Sequence, residues 1–143
     1  MMLFTQAKGL RVITADEAAT LGTVKDLTID THTRGIACLR LAGAPKDATA
    51  IAWGSVQALG RDAVIVRSQG VAESGAAHLP EHREAIGSRV LTEHGMEHGT
   101  VKDVAFDPVS GRILTVYTAL GDIAGDRLVG LGSYAMVVRA ERT

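Results

Sequence analysis

Four of the five histidines fall within residues 78–98, as His78, His82, His94 and His98, with Glu93 and Glu97 between them. Imidazoles and carboxylates at this density could ligate zinc or nickel, provided that they converge on one point and are held by outer partners. The i, i+4 spacing would align two histidines on a helix. Pro80, however, favours a helix start between the first pair, and Gly95 and Gly99 give the second pair the character of a loop. Surface histidines are therefore the reading carried forward. A weak pH-dependent contact stands between that reading and a metal site.

Other reactive types are equally plain when weighed one by one. Cys38 lies in the apolar run IACLRL, a setting for a buried small hydrophobe and not for an electropositive, exposed nucleophile. Trp53, the single tryptophan, suits packing at a barrel mouth better than an interface anchor, although tryptophan serves both. Gly130, Gly132 and Ser133 in VGLGSY have neither the spacing nor the following helix of a phosphate-cradling loop. The sequence thus assigns no catalytic, cofactor-binding or metal residue, and no cofactor.

The elements that would position these residues come from a repeat. GTVKD occurs at Gly22–Asp26 and again at Gly99–Asp103, each followed four residues later by an aspartate, Asp30 and Asp107. The offset, 99 − 22 = 77, also pairs Ile29 with Phe106, Ile36 with Ile113 and Leu39 with Val116. At an offset of 78, Ala7 pairs with Ala85, Gly9 with Gly87, Arg11 with Arg89 and Val12 with Val90. The one-residue difference falls between TADEAATL and LTEHGMEH, where a hairpin loop absorbs it.

Within the repeated strand the apolar residues Val24, Leu27 and Ile29, like Val101, Val104 and Phe106, break a period of two. This predicts a β-bulge near Lys25 and Asp26 and another near Lys102 and Asp103, with each Lys-Asp pair serving backbone geometry ahead of partner contact. DTHTRG and DPVSGR read as hairpin turns in which Asp30 and Asp107 accept local N–H groups. The returning strands IACLRL and ILTVYT follow, then IAWGSV and AVIV in the first copy, about five strands in all. Correspondence fades after Thr118, so the second copy is expected to be pared down or completed differently. Residues Gly70–His78 read as a linker, and Pro80 with EHREAI could open one short helical turn.

The order of these signals resembles the PRC-barrel family. The first copy carries it on Gly9, Val12, Gly22, Val24, Asp26, Leu27, Asp30, Gly35, Ile51, Trp53, Val56, Gly60, Asp62 and Ala63 to Val66. The second does so on Gly87, Val90, Gly99, Val101, Asp103, Asp107 and Gly111. The resemblance implies small, strongly bent sheets or barrels, used in the photosynthetic reaction-centre H subunit, in ribosome-maturation factors and in stand-alone proteins. Protein contact is its recurrent theme. The expectation is an all-β chain of two such units related by pseudo-twofold symmetry, at residues 1–70 and 83–143, with a linker at 71–82 holding at most one short helix.

Composition narrows function further. Fifteen Lys plus Arg against sixteen Asp plus Glu give a formal charge of −1, and aromatics make up 3%. Neither an electrostatic footprint for nucleic acid nor a base-stacking surface follows. A unit of this size buries only about 60% of its unfolded surface, so packing of the copies or homo-oligomerisation is expected. No signal-peptide pattern or long apolar span is read in the sequence, and the single cysteine fits a reducing compartment, so a cytoplasmic location is expected. The leading expectation is a non-enzymatic protein-interaction module. The alternatives are a small-molecule or metal-binding protein using residues 78–98 and, by family analogy, an RNA-processing or ribosome-maturation accessory.

Overall fold

The computed structural model describes residues 1–43, 50–67 and 79–140. The loop around Pro45, most of the expected linker and His78 lie outside the described residues.

The first sheet contains β2 (Arg11–Thr14), β3 (Thr20–Asp30), β4 (Gly35–Ala42), β5 (Ala50–Ala52), β6 (Val56–Leu59) and β7 (Ala63–Val66), ordered β5-β4-β3-β2-β7-β6. The second contains β8 (Arg89–Thr92), β9 (Glu97–Phe106), β10 (Ile113–Thr118), β11 (Gly121–Ala124), β12 (Leu128–Leu131) and β13 (Met136–Val138), ordered β11-β10-β9-β8-β13-β12. The two orders are the same when strands are counted from the start of each copy. A short strand β1 (Met2–Leu3) pairs with β9, and a single helical turn, α1 (Phe4–Ala7), follows it.

Bulges lie where the broken apolar period places them. On β3, Val24 faces Leu41 and Asp26 faces Arg40, which leaves Lys25 as the extra residue. That one-residue shift lets both Val24 and Leu27 turn inward, where they are buried. On β9 the extra residue is Lys102, between the pairs Thr118–Val101 and Tyr117–Asp103.

The segment IAWGSV is not one strand. A 3₁₀ turn at Trp53–Ser55 divides it into β5 and β6, which lie on opposite edges of the sheet. Two edges joined by three residues must approach each other, so the sheet curls toward a barrel. The second sheet repeats the device with a 3₁₀ turn at Gly125–Arg127 between β11 and β12.

This repetition also answers how the second copy is completed. From Ile51 onward the correspondence continues at an offset of 72: Ile51 with Ile123, Leu59 with Leu131, Gly60 with Gly132 and Val66 with Val138. The second copy therefore keeps every strand. It loses five residues, 77 − 72, between β4 and β5.

Backbone geometry matches as well. Gly9, at φ +90°, donates its N–H to Val24, and Gly87, at φ +88°, donates to Val101. Both occupy the left-handed region that favours glycine. One point of likeness fails: residues 80–85 carry no helical turn, and the short helix lies at Phe4–Ala7 instead.

A single apolar core runs through both halves, joining Phe4, Val12, Leu27, Leu39 and Ile51 to Val90, Phe106, Ile113, Leu128 and Met136. Each half thereby gains the core that its size alone does not supply. Among the described residues no helix is long and apolar enough to cross a membrane.

Candidate functional site

The chemistry-bearing side chains gather where the two halves meet. Turn α1 crosses onto β9, where the Thr5 hydroxyl and backbone N–H both donate to the Asp103 carboxylate and Phe4 packs edge-on against Phe106 at 5.6 Å. At an offset of 78 the residue equivalent to Phe4 is His82, and it crosses in the opposite direction onto β3. His82 Nε2 lies 3.0 Å from Asp26 Oδ2, and Nδ1 lies 2.8 Å from Thr28 Oγ1. Each GTVKD aspartate therefore receives the leading segment of the opposite copy.

Around His82 the polar contacts form a continuous chain. Arg40 donates through Nε to Thr28 Oγ1 at 2.9 Å and through Nη2 to the Pro80 carbonyl at 2.9 Å. Asp26 accepts the Leu27 N–H at 2.8 Å and lies 3.6 Å from Lys8 Nζ. Because Thr28 Oγ1 accepts from Arg40, its own proton is free to go to His82 Nδ1. Nε2 then carries the ring hydrogen toward Asp26. The same contacts explain the missing helical turn, since the Pro80 carbonyl and the His82 ring are both drawn to the first sheet.

A cavity of about 350 Å³ opens beside this chain, lined by Lys8, Lys25, Asp26, Arg40, Leu41, His82 and Glu84. Carboxylate, imidazole and hydroxyl stand here in the order used by nucleophilic hydrolases. Thr28 is 1% exposed, however, and its hydroxyl is occupied on both sides. A substrate carbonyl has no path to it, so the arrangement works as a clasp. Replacing Asp26 with alanine strips His82 and the Leu27 N–H of their acceptor, an expected loss of about 1–3 kcal/mol in urea unfolding. Asp103→Ala, at a half-buried site, should cost about 0.5–1.5 kcal/mol in the same assay.

A second contact lies on the pseudo-dyad itself. Gly35 and Arg112, 77 positions apart, form a bridge, flanked by reciprocal bonds from Ile36 N–H to Gly111 O and from Ile113 N–H to Arg34 O, both 2.9 Å. On one side of this bridge the Trp53 indole covers Gly111 and meets Phe106 edge-on at 6.4 Å. On the other side the residue equivalent to Trp53 is Gly125, and the residue equivalent to Gly111 is Arg34, whose Nε reaches the Leu128 carbonyl at 2.9 Å. The two sides therefore carry different residues at equivalent positions, an indole over a glycine on one and an arginine bound to a backbone carbonyl on the other.

The remaining sequence candidates stay apart. His94 is exposed in the β8–β9 turn, and His98 is half-buried on β9 with an enclosed Nε2 that has no hydrogen-bond partner. Among the described residues no group of three or more His, Cys, Asp or Glu could hold a metal ion. Cys38 is fully buried in β4. Asp30 accepts the N–H groups of His32 and Thr33, and Asp107 those of Val109 and Ser110. The latter pair holds the Asp107 carboxyl below the usual carboxylate range. Gly130 lies within β12, and Ser133 in the turn that follows Gly132.

Thr5, Lys8, Thr28 and Arg40 escaped the sequence reading. The available signal was a polar residue interrupting an apolar strand, as Thr28 and Arg40 do, but it names no partner. Trp53 packs against the core, as expected, and does so between the two copies through Phe106.

Exposed large apolar residues are distributed unevenly. Apart from Met1, those described are Met96, Val109, Leu114, Leu120, Val129 and Tyr134, all in the second half. The family model of the PRC-barrel domain matches residues 1–71. No curated protein matches the chain.

Proposed function

Because residues 1–71 belong to the PRC-barrel domain family, we propose that the chain is a non-enzymatic protein-interaction module. In this reading residues 1–70 and 83–143 are two PRC-barrel units, with 71–82 as linker. The observation that carries it is the one-sided exposure of apolar side chains. Tyr134 is 70% exposed, Leu120 65% and Val109 90%, whereas the first sheet presents no comparable residue among those described. Exposed aromatic and aliphatic groups are the anchors of protein contacts. The clasp supports the same reading, since its polar groups hold the two halves together and leave the outer surface for recognition. We place this module in the cytoplasm and extend its contacts to self-association.

Photo-crosslinking in the native cell, from a probe at position 120 or 134, should trap a discrete partner. Leu120→Ser with the probe at 134, and Tyr134→Ser with the probe at 120, should each reduce the adduct severalfold, and Asp16→Ala in the β2–β3 turn should not. Equal adducts from all variants would reject the reading. Light scattering across a concentration series tests self-association separately.

A further inference from the structure

We propose that the face beside Gly125 binds a phosphate-bearing small molecule. A cavity of about 510 Å³, within the size range of small-molecule sites, is lined there by Arg34, Arg127, Arg139, Asp122 and Asp126, with Ala124 and Ala140 as the apolar remainder. A lining so charged suits a small polar anion and offers little to an apolar ligand.

Two of the guanidinium groups are held from behind. Arg34 donates through Nε to the Leu128 carbonyl, and Arg127 donates through Nε and Nη2 to the Arg139 carbonyl at 3.0 and 2.7 Å. Anchoring of this kind fixes the planar fork while leaving donors unused, the arrangement that favours bidentate phosphate recognition. Among the described residues none of the three arginines has a carboxylate within ion-pair distance, although Asp122 and Asp126 share the cavity. The two carboxylates lower the pull on a bare anion. They are suited to accept from hydroxyl or amino groups on the rest of the ligand.

The pseudo-symmetry isolates the feature. The equivalents of Arg34, Asp122, Asp126 and Arg127 in the other copy are Gly111, Ala50, Gly54 and Ser55, and there Trp53 covers Gly111. Among the charged lining residues only Arg139 has a charged counterpart, Arg67, so this cluster is no by-product of the barrel geometry that both sides share.

Sodium pyrophosphate titrated into the full chain, in low-salt buffer and followed by calorimetry, tests the assignment. A saturable isotherm with one site per chain is expected. Arg139→Gln, at an exposed side chain with no hydrogen bond among the described residues, should weaken binding about tenfold while leaving the melting temperature unchanged. Arg127→Gln should weaken it similarly. Asp126→Asn should tighten pyrophosphate binding severalfold by removing a like charge. The absence of a saturable isotherm, or an isotherm that both arginine variants leave intact, overturns the proposal. Citrate binding as tightly as pyrophosphate overturns the phosphate assignment.

Discussion

Phe106→Ala should lower the free energy of unfolding by about 3–5 kcal/mol, as large aromatic truncations in closed cores do. Phe106 is fully buried, and its ring meets Phe4 from the first segment of the chain and Trp53 from the 3₁₀ turn of the first sheet. No other side chain described here joins three parts of the fold through aromatic contacts. Total stabilities of about 5–15 kcal/mol leave little after such a loss. Urea unfolding should show one cooperative transition, displaced to lower denaturant, because the core is continuous across both halves. If the second half alone unfolded early and the first kept its original midpoint, the shared core would be refuted as an energetic unit.

Gly125→Ala should be as damaging for a different reason. A Cβ at this position would lie 2.1 Å from the Ile113 carbonyl oxygen and 2.7 Å from its carbon, so backbone meets backbone and no flexible side chain can yield. The 3₁₀ turn or β10 must shift, at a cost of about 3 kcal/mol or more. Gly9→Ala is the control: it has nothing within 4 Å but sits at φ +90°, and only backbone strain of about 1–2 kcal/mol is at stake. Thermal unfolding of the two variants should separate them clearly. Equal effects would show that the close approach to Ile113 is not what requires glycine at 125.

Local features were open to reading because local chemistry decides them. The bulges at Lys25 and Lys102 follow from three inward residues that a strict alternation cannot hold, and the turns at Asp30 and Asp107 follow from carboxylates placed to accept nearby N–H groups. The break at Trp53–Ser55 escaped because both halves of IAWGSV have strand-forming composition, and only closure of the sheet separates them. The expectation of a second copy pared down or completed differently arises because five missing residues shift the register, after which few side chains are identical.

The junction was the least legible part. His82 was visible as one of four clustered histidines, yet its partners Asp26 and Thr28 lie more than fifty positions away. Its equivalence to Phe4 was implicit in the offset of 78, but an imidazole and a phenyl ring share no local signature that would place both across an interface.

The bridge between Gly35 and Arg112 carries an evolutionary consequence. In an assembly of two identical chains, any substitution near the axis would be made at both equivalent positions, so an indole over a glycine on one side would be repeated over a glycine on the other. Covalent fusion lifts that restriction, so a one-sided change such as tryptophan at 53 opposite glycine at 125 becomes tolerable. The duplicated chain is free to be symmetric in its backbone and unlike in its two mouths.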